Sequence, residues 1–329
     1  MKSRFINTYH LEGLLYDHDL KIKVSGPNSK NPGIEFINGT IKVATDSEIT
    51  NIIEVHYSYV VAATKNGGAN ETFINLKNVL EGKNKTYMAA KGTEDYVPTY
   101  VRIDTSIGLN DFYTERNGQE ELVSAKRNEG GFLHFIRKEE MKPDMELRNF
   151  FRADMVVTSA VRLEADEEKN LAERMRIKGV IFDFRRAILP VEFITYNPQG
   201  MDLFENQSPS PSKPFCTEVR GAQISQVITT YEREESAFGP AIVKEIPHNR
   251  KEFEITSVFK QVSYPWDDES FITAEELRKA MGDREVYLAT VKKNNDEWKA
   301  QRQANAAATP SVATTTTTIF KSNPGDFNF

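Results

Sequence analysis

The strongest constraint in this chain is a two-residue alternation. In NIIEVHYSYVVAA (residues 51–63), Ile53, Val55, Tyr57, Tyr59 and Val61 alternate with Glu54, His56 and Ser58. That is the period of a strand with one face buried and one in water. DLKIKVSG, IEFINGTIKVATD, TYVRIDT and GFLHFIRK carry the same period, separated by clusters such as GPNSKNPG and KNGGAN, whose Gly, Pro and Asn residues are turn formers. The first 140 residues therefore read as all-β.

A second β-rich region runs from about residue 148 to 265, and it repeats part of the first. Ile37-Asn38-Gly39-Thr40-Ile41 is followed by IIEVHYSY, and Ile177-Lys178-Gly179-Val180-Ile181 is followed by ILPVEFIT. The shared pattern places a Gly at the same point of a strand, where it relieves strain as a sheet bends to close a small barrel. Tandem small barrels are expected in preference to a single sandwich. After residue 270 the pattern changes. Thr273 with Glu276 forms a capping-box signature ahead of EELRKAM, so one or two helices are expected to about residue 302. From Gln303 the composition shifts to Ala, Thr, Asn, Pro and Ser, which bury too little surface to offset chain entropy.

A length of 329 residues favours two domains. The net charge of −6 excludes a general coat for polyanions and confines any nucleic-acid contact to local basic patches. Cys216 is the only cysteine, so no disulfide within the chain forms. The start, MKSRFINTYHLEGLLYDHDLK, has no apolar run of signal-peptide length, and no stretch approaches the roughly 20 apolar residues of a membrane span. A cytoplasmic protein without membrane contact is expected.

Catalytic patterns are scarce. GPNSKNPG lacks Walker spacing, and His10, His18, His56, His134 and His248 are scattered without metal-ligand spacing. No nucleophile elbow occurs, and Cys216 in KPFCTE has no nucleophile signature. The expectation is a non-enzyme with no metal and no cofactor. The best positive signal is ERMRIKGVIFDFRRAI. As one strand over 174–186 it places Arg174, Arg176, Lys178, Phe182, Phe184 and Arg186 on one face, with Met175, Ile177 and Ile181 on the other. Guanidinium and ammonium groups neutralise phosphates, and ring faces stack on unpaired bases. The alternative is that Phe182 and Phe184 are core and the arginines a solvated rim, since a bulge would swap the faces. A second basic stretch, KNVLEGKNKTYMAAKG, supplies Lys77, Lys83, Lys85 and Lys91 around Tyr87 in the long connection after the third strand, as a mobile arm or a solvated loop.

Two small barrels, basic-aromatic strand faces and a C-terminal tail together resemble a single-stranded DNA-binding protein built on OB-folds, of the kind encoded by bacteriophages. The resemblance implies a mainly β protein: a first OB-like barrel over 1–145, a second over 146–270, a helical segment over 271–302 and a disordered tail over 303–329. It implies sequence-independent binding of single-stranded DNA during phage replication or recombination. It also implies a tip, Asp326, Phe327 and Phe329, that docks a replication or recombination partner, although the family's several acids are reduced here to one. A phage virion or scaffold protein without nucleic-acid binding is the competing expectation.

Overall fold

The computed structural model describes residues 5–27, 29–94, 96–234, 238, 242–263 and 272–308. The tip residues Asp326, Phe327 and Phe329 lie outside the described residues. The protein is mainly β, with a long C-terminal helix. The first half holds β1 (Asn7–His18), β2 (Lys21–Val24), β3 (Glu35–Ala44), β4 (Ile52–Val61), helices α1 (Glu71–Leu80) and α2 (Tyr87–Ala90), β5 (Tyr100–Arg116) and β6 (Gln119–Ile136). The second holds β7 (Asn149–Leu163), β8 (Arg174–Phe182), β9 (Ile188–Thr195), α3 (Pro198–Gln207), β10 (Phe215–Glu234), β11 (Ile242–Ser263) and α4 (Ala274–Ala308).

The pairings close two rings of five strands. In ring A, β1 pairs with β3, β3 with β4, β4 with β6, β6 with β5 and β5 with β1. In ring B, β7, β8, β9, β11 and β10 close in the same order. Each ring is antiparallel except at one seam: β4–β6 in ring A and β9–β11 in ring B run parallel. In each, a helix separates the third strand from the fourth. The rings join through their first strands, β1 and β7, antiparallel from Asn7↔Ala153 to Leu11↔Asn149. One hydrophobic core runs through both, from Ile37, Ile41 and Tyr57 to Phe151, Ile177 and Phe193.

The internal repeat lies on the second and third strands of each ring, and its glycines stand where backbone passes close by. A Cβ on Gly179 would sit 2.2 Å from the Val156 carbonyl oxygen of the ring's first strand. At Gly39 the backbone has φ +139°, and a Cβ would lie 2.7 Å from the Leu20 Cα.

Three sequence expectations need correction. The first 140 residues are not all-β, because ETFINLKNVL forms α1, capped where the Asn70 side chain accepts from Thr72 N–H. Its Phe73, Leu76 and Val79 are spaced to present one face to the ring A core. The basic stretch after β4 is therefore two helices and not a mobile arm. Residues 174–186 are not one strand. β8 ends at Phe182, where the Asp183 carboxylate accepts from the backbone N–H of Arg185 and of Ala187, both at 2.8 Å, and Arg186 turns to φ +69°. The third concerns the helix boundary. The capping box forms as expected, with Glu276 N–H on Thr273 Oγ1 at 3.2 Å and Thr273 N–H on Glu276 Oε2 at 3.1 Å, but α4 runs past residue 302 to Ala308. Four of the six added residues are Ala, the best helix former.

Candidate nucleic-acid interface

Along β8 the alternation holds: Met175, Ile177 and Ile181 are buried, while Arg174, Arg176 and Lys178 point outward. Arg174 donates to the carbonyls of Glu164 and Ala172 at 3.3 and 3.2 Å, and Lys178 lies 3.5 Å from Glu192. The Arg176 Nε is buried without a hydrogen-bond partner among the described residues. Phe182 shares the outward side of the strand yet is 0% exposed. Its ring stacks on Phe5 at 4.1 Å and sits in a small second core with Ile188, Cys216 and Ile272, under Leu277 and Ala280 at the start of α4. No face of Phe182 is open to a base, which corrects its assignment as a stacking residue. The same burial pushes the Cys216 thiol up to about 12, so it is an inert apolar filler.

Phe184, outside the strand, is 70% exposed and lies under the Arg185 guanidinium at 5.0 Å. Arg186 is 3.8 Å from Glu276 at the start of α4. The Asp183 turn thus takes Phe184 and Arg186 off the strand face that carries Arg174, Arg176 and Lys178.

The second basic cluster stays on the ring A helices. Lys77 and Lys83 both bind Glu81, at 3.9 and 2.7 Å, and the Lys83 hydrogen bond holds that carboxyl below its ordinary value. Tyr87 packs on Tyr16 and Tyr96 with centroids 5.8 and 6.2 Å apart, Lys91 lies over the Tyr87 ring at 5.7 Å, and Lys85 is exposed.

A further aromatic surface escaped the sequence pattern. Alternation placed Tyr59 on the buried side with Tyr57. The β3–β4 register, however, shifts between Ile37↔Val60 and Gly39↔Tyr57. The extra residue of this bulge reverses the parity of β4, and Tyr59 emerges on the outside, 47% exposed. There it packs on Phe36 with centroids 4.6 Å apart, and its hydroxyl lies 3.3 Å from Ser25 Oγ. Lys23 donates to Asn38 on the same face at 2.9 Å, and Lys42 points outward farther along β3. The face continues through Thr40 and His56, whose ring lies 3.4 Å from Thr40 Oγ1. Burial, and then the charge of Arg127, lower the His56 pKa.

His56 is the cross-strand neighbour of Glu129 on β6. Beyond Glu129 opens a cleft of about 820 Å³ between the β5–β6 hairpin, the β8–β9 turn and α4. Its walls carry Arg127, Phe184, Arg185, Arg186, Lys279 and Tyr287; none of Lys77, Lys83, Lys85, Tyr87 and Lys91 lines it. α4 is fixed against the hairpin by Arg284, which donates twice to Asp111 at 2.8 and 2.6 Å in a pair almost out of solvent. Farther along, Lys292, Asn295 and Lys299 converge on Glu120, with Asn295 at 2.7 Å and Lys299 at 2.6 Å. The Lys292 and Lys299 contacts pull the Glu120 carboxyl down to about 2.

Among the described residues, no group of three or more His, Cys, Asp and Glu side chains is placed to hold a metal ion, and no helix is long and apolar enough to cross a membrane.

No family model matches the chain, and no curated protein matches it. Among solved structures the chain is similar to a deletion mutant of the single-stranded DNA binding protein from Thermus aquaticus. The TM-score is 0.43 and the identity 9%, over 81% of this chain and 97% of that one.

Proposed function

We propose that the protein binds single-stranded DNA with little sequence preference, each ring acting as an OB-like domain that offers the outward face of its second and third strands. The observation that carries this is the chemistry of those faces at matching places in the two rings. Ring A offers an exposed Tyr59 and a part-exposed Phe36, packed on each other at a tilt, with Lys23 beside them and Lys42 farther along β3. Ring B offers Arg174, Arg176 and Lys178. Unpaired bases present ring faces and an accessible phosphate backbone, and a base stacked on an aromatic contributes roughly 1–3 kcal/mol whatever its identity. No array of hydrogen-bonding groups aimed at base edges is needed for this mode. A net charge of −6 suits short contacts on these faces better than long-range attraction. Such binding is that of a protein covering single strands during replication or recombination.

The test is anisotropy of labelled oligo-dT at two salt concentrations. Tyr59→Ala should weaken binding by about 5-fold to 150-fold, the equivalent of one stacked base. Its melting temperature should stay near that of the wild type, because the ring lies outside the core. A Tyr59→Ala protein that binds oligo-dT as tightly as the wild type would remove the ring A face from the site.

A further inference from the structure

The cleft beside α4 is not part of either strand face, and its walls carry their own chemistry. Three of its acids are already engaged: Asp111 by Arg284, Glu129 by Arg127 at 2.5 Å and Glu276 by Arg186. Asp183 accepts from its own turn. Arg185 and Lys279 have no carboxylate partner among the described residues, and Asp283 is the acid left over. Phe184 and Tyr287 add exposed aromatic surface from opposite sides, one from the β8–β9 turn and one from α4. A volume of about 820 Å³ falls within the range of sites that enclose small organic ligands. Aromatic walls with two cations that have no carboxylate partner among the described residues, one of them already over the Phe184 ring, fit a planar base carrying an anionic phosphate.

The position of the cleft says where such a group comes from. On one side it meets ring A's face, since Arg127 and Glu129 line it and Glu129 neighbours His56. On the other it receives the turn that ends β8, the strand bearing Arg174, Arg176 and Lys178. We infer that this cleft is a bridging subsite, in which α4 and the β8–β9 turn hold nucleotides of one DNA strand as it crosses from ring A to ring B. This rests on the single-strand binding proposed above and makes α4 part of the interface.

The experiment compares oligo-dT of increasing length on the full chain, for the wild type, the double variant Phe184→Ala with Lys279→Ala, and Tyr59→Ala. Phe184 and Lys279 are both exposed, so melting temperatures should hold; Lys279→Gln alone is the second variant should the double one misfold. In the wild type, affinity should rise once an oligonucleotide is long enough to span both faces. The double variant should lose about 5-fold or more on the long oligonucleotides and stay within about twofold on the short ones. If it matches the wild type at every length while Tyr59→Ala is weakened, the cleft is off the path and the strand-face proposal survives alone. If the wild type binds no oligo-dT, both fall. Saturable binding of free dTMP that Lys279→Gln abolishes, with no length effect, would make the cleft a mononucleotide site and overturn the bridge.

Discussion

The two rings share strand order, seam polarity and helix position, yet they differ wherever a side chain leaves the core. Inside, the repeated isoleucines Ile37 and Ile41 match Ile177 and Ile181, all at 0% exposure. Outside, ring A carries an aromatic pair with lysines, and ring B carries Arg174, Arg176 and Lys178 without an aromatic pair on β8. The end of β8 where an aromatic does occur, Phe182, is roofed by Phe5 and α4. Closing a small ring fixes the inward residues and the glycines at its crossings, while the outward positions are free to diverge.

The largest effect should come from that roof. Phe182→Ala removes a fully buried ring and leaves a cavity, at a cost of about 3–5 kcal/mol. If Phe182 were a stacking residue, the same substitution would lower oligo-dT affinity and spare stability. Calorimetric melting and anisotropy on one preparation separate the two: the melting temperature should fall, and affinity of the folded protein should stay within about twofold of the wild type.

The next comparison sets charge against stacking. Lys178→Ala in ring B should make binding less steep in salt by about 0.7 in the log–log slope, as expected for one lost phosphate contact on a single strand. Tyr59→Ala in ring A should lower affinity at every salt concentration and leave the slope alone. Equal slopes for Lys178→Ala and wild type, measured over several salt concentrations, would take ring B's face out of the site.

Much of this architecture was legible in the alternation. It located strands along most of the chain, the repeat pointed to two closed units, and Thr273 with Glu276 marked the start of α4. The binding residues were harder to read, because period-2 assignment holds only while a strand stays in register. One extra residue in β4 turned Tyr59 outward, and the Asp183 turn ended β8 before Phe184. The roof over Phe182 comes from Phe5 and Ile272, 177 and 90 residues away along the chain, and no local pattern announces it. α1 gives a weak signal for a simpler reason: its apolar face, Phe73, Leu76 and Val79, is short and leads directly into a lysine-rich segment.

A smaller difference lies where the rings meet. In ring A, His10 donates to or accepts from Asp104 at 2.6 Å and Glu12 at 3.1 Å, and Arg102 also binds Glu12 at 2.7 Å. In ring B, Arg152 and Arg220 hold Glu218 at 2.8 and 3.1 Å. The Asp104 hydrogen bond, outweighing burial, raises the His10 pKa above 6.5. A raised folded pKa means that this stabilisation is fully present below about 6.5 and is lost as pH rises through the folded value. Melting temperature should therefore decline slightly from pH 6.5 upward, and His10→Asn should flatten that decline. A decline that persists in His10→Asn would place the titrating group elsewhere.

The most direct measurement is the affinity of the full chain for oligo-dT against a duplex of the same length, at two salt concentrations. Single strands should bind more tightly, and both should weaken with salt, because only unpaired bases offer ring faces to Phe36 and Tyr59 while phosphates are present in either. Equal affinity for the two, or no binding of oligo-dT at low salt, would contradict single-strand recognition by these faces.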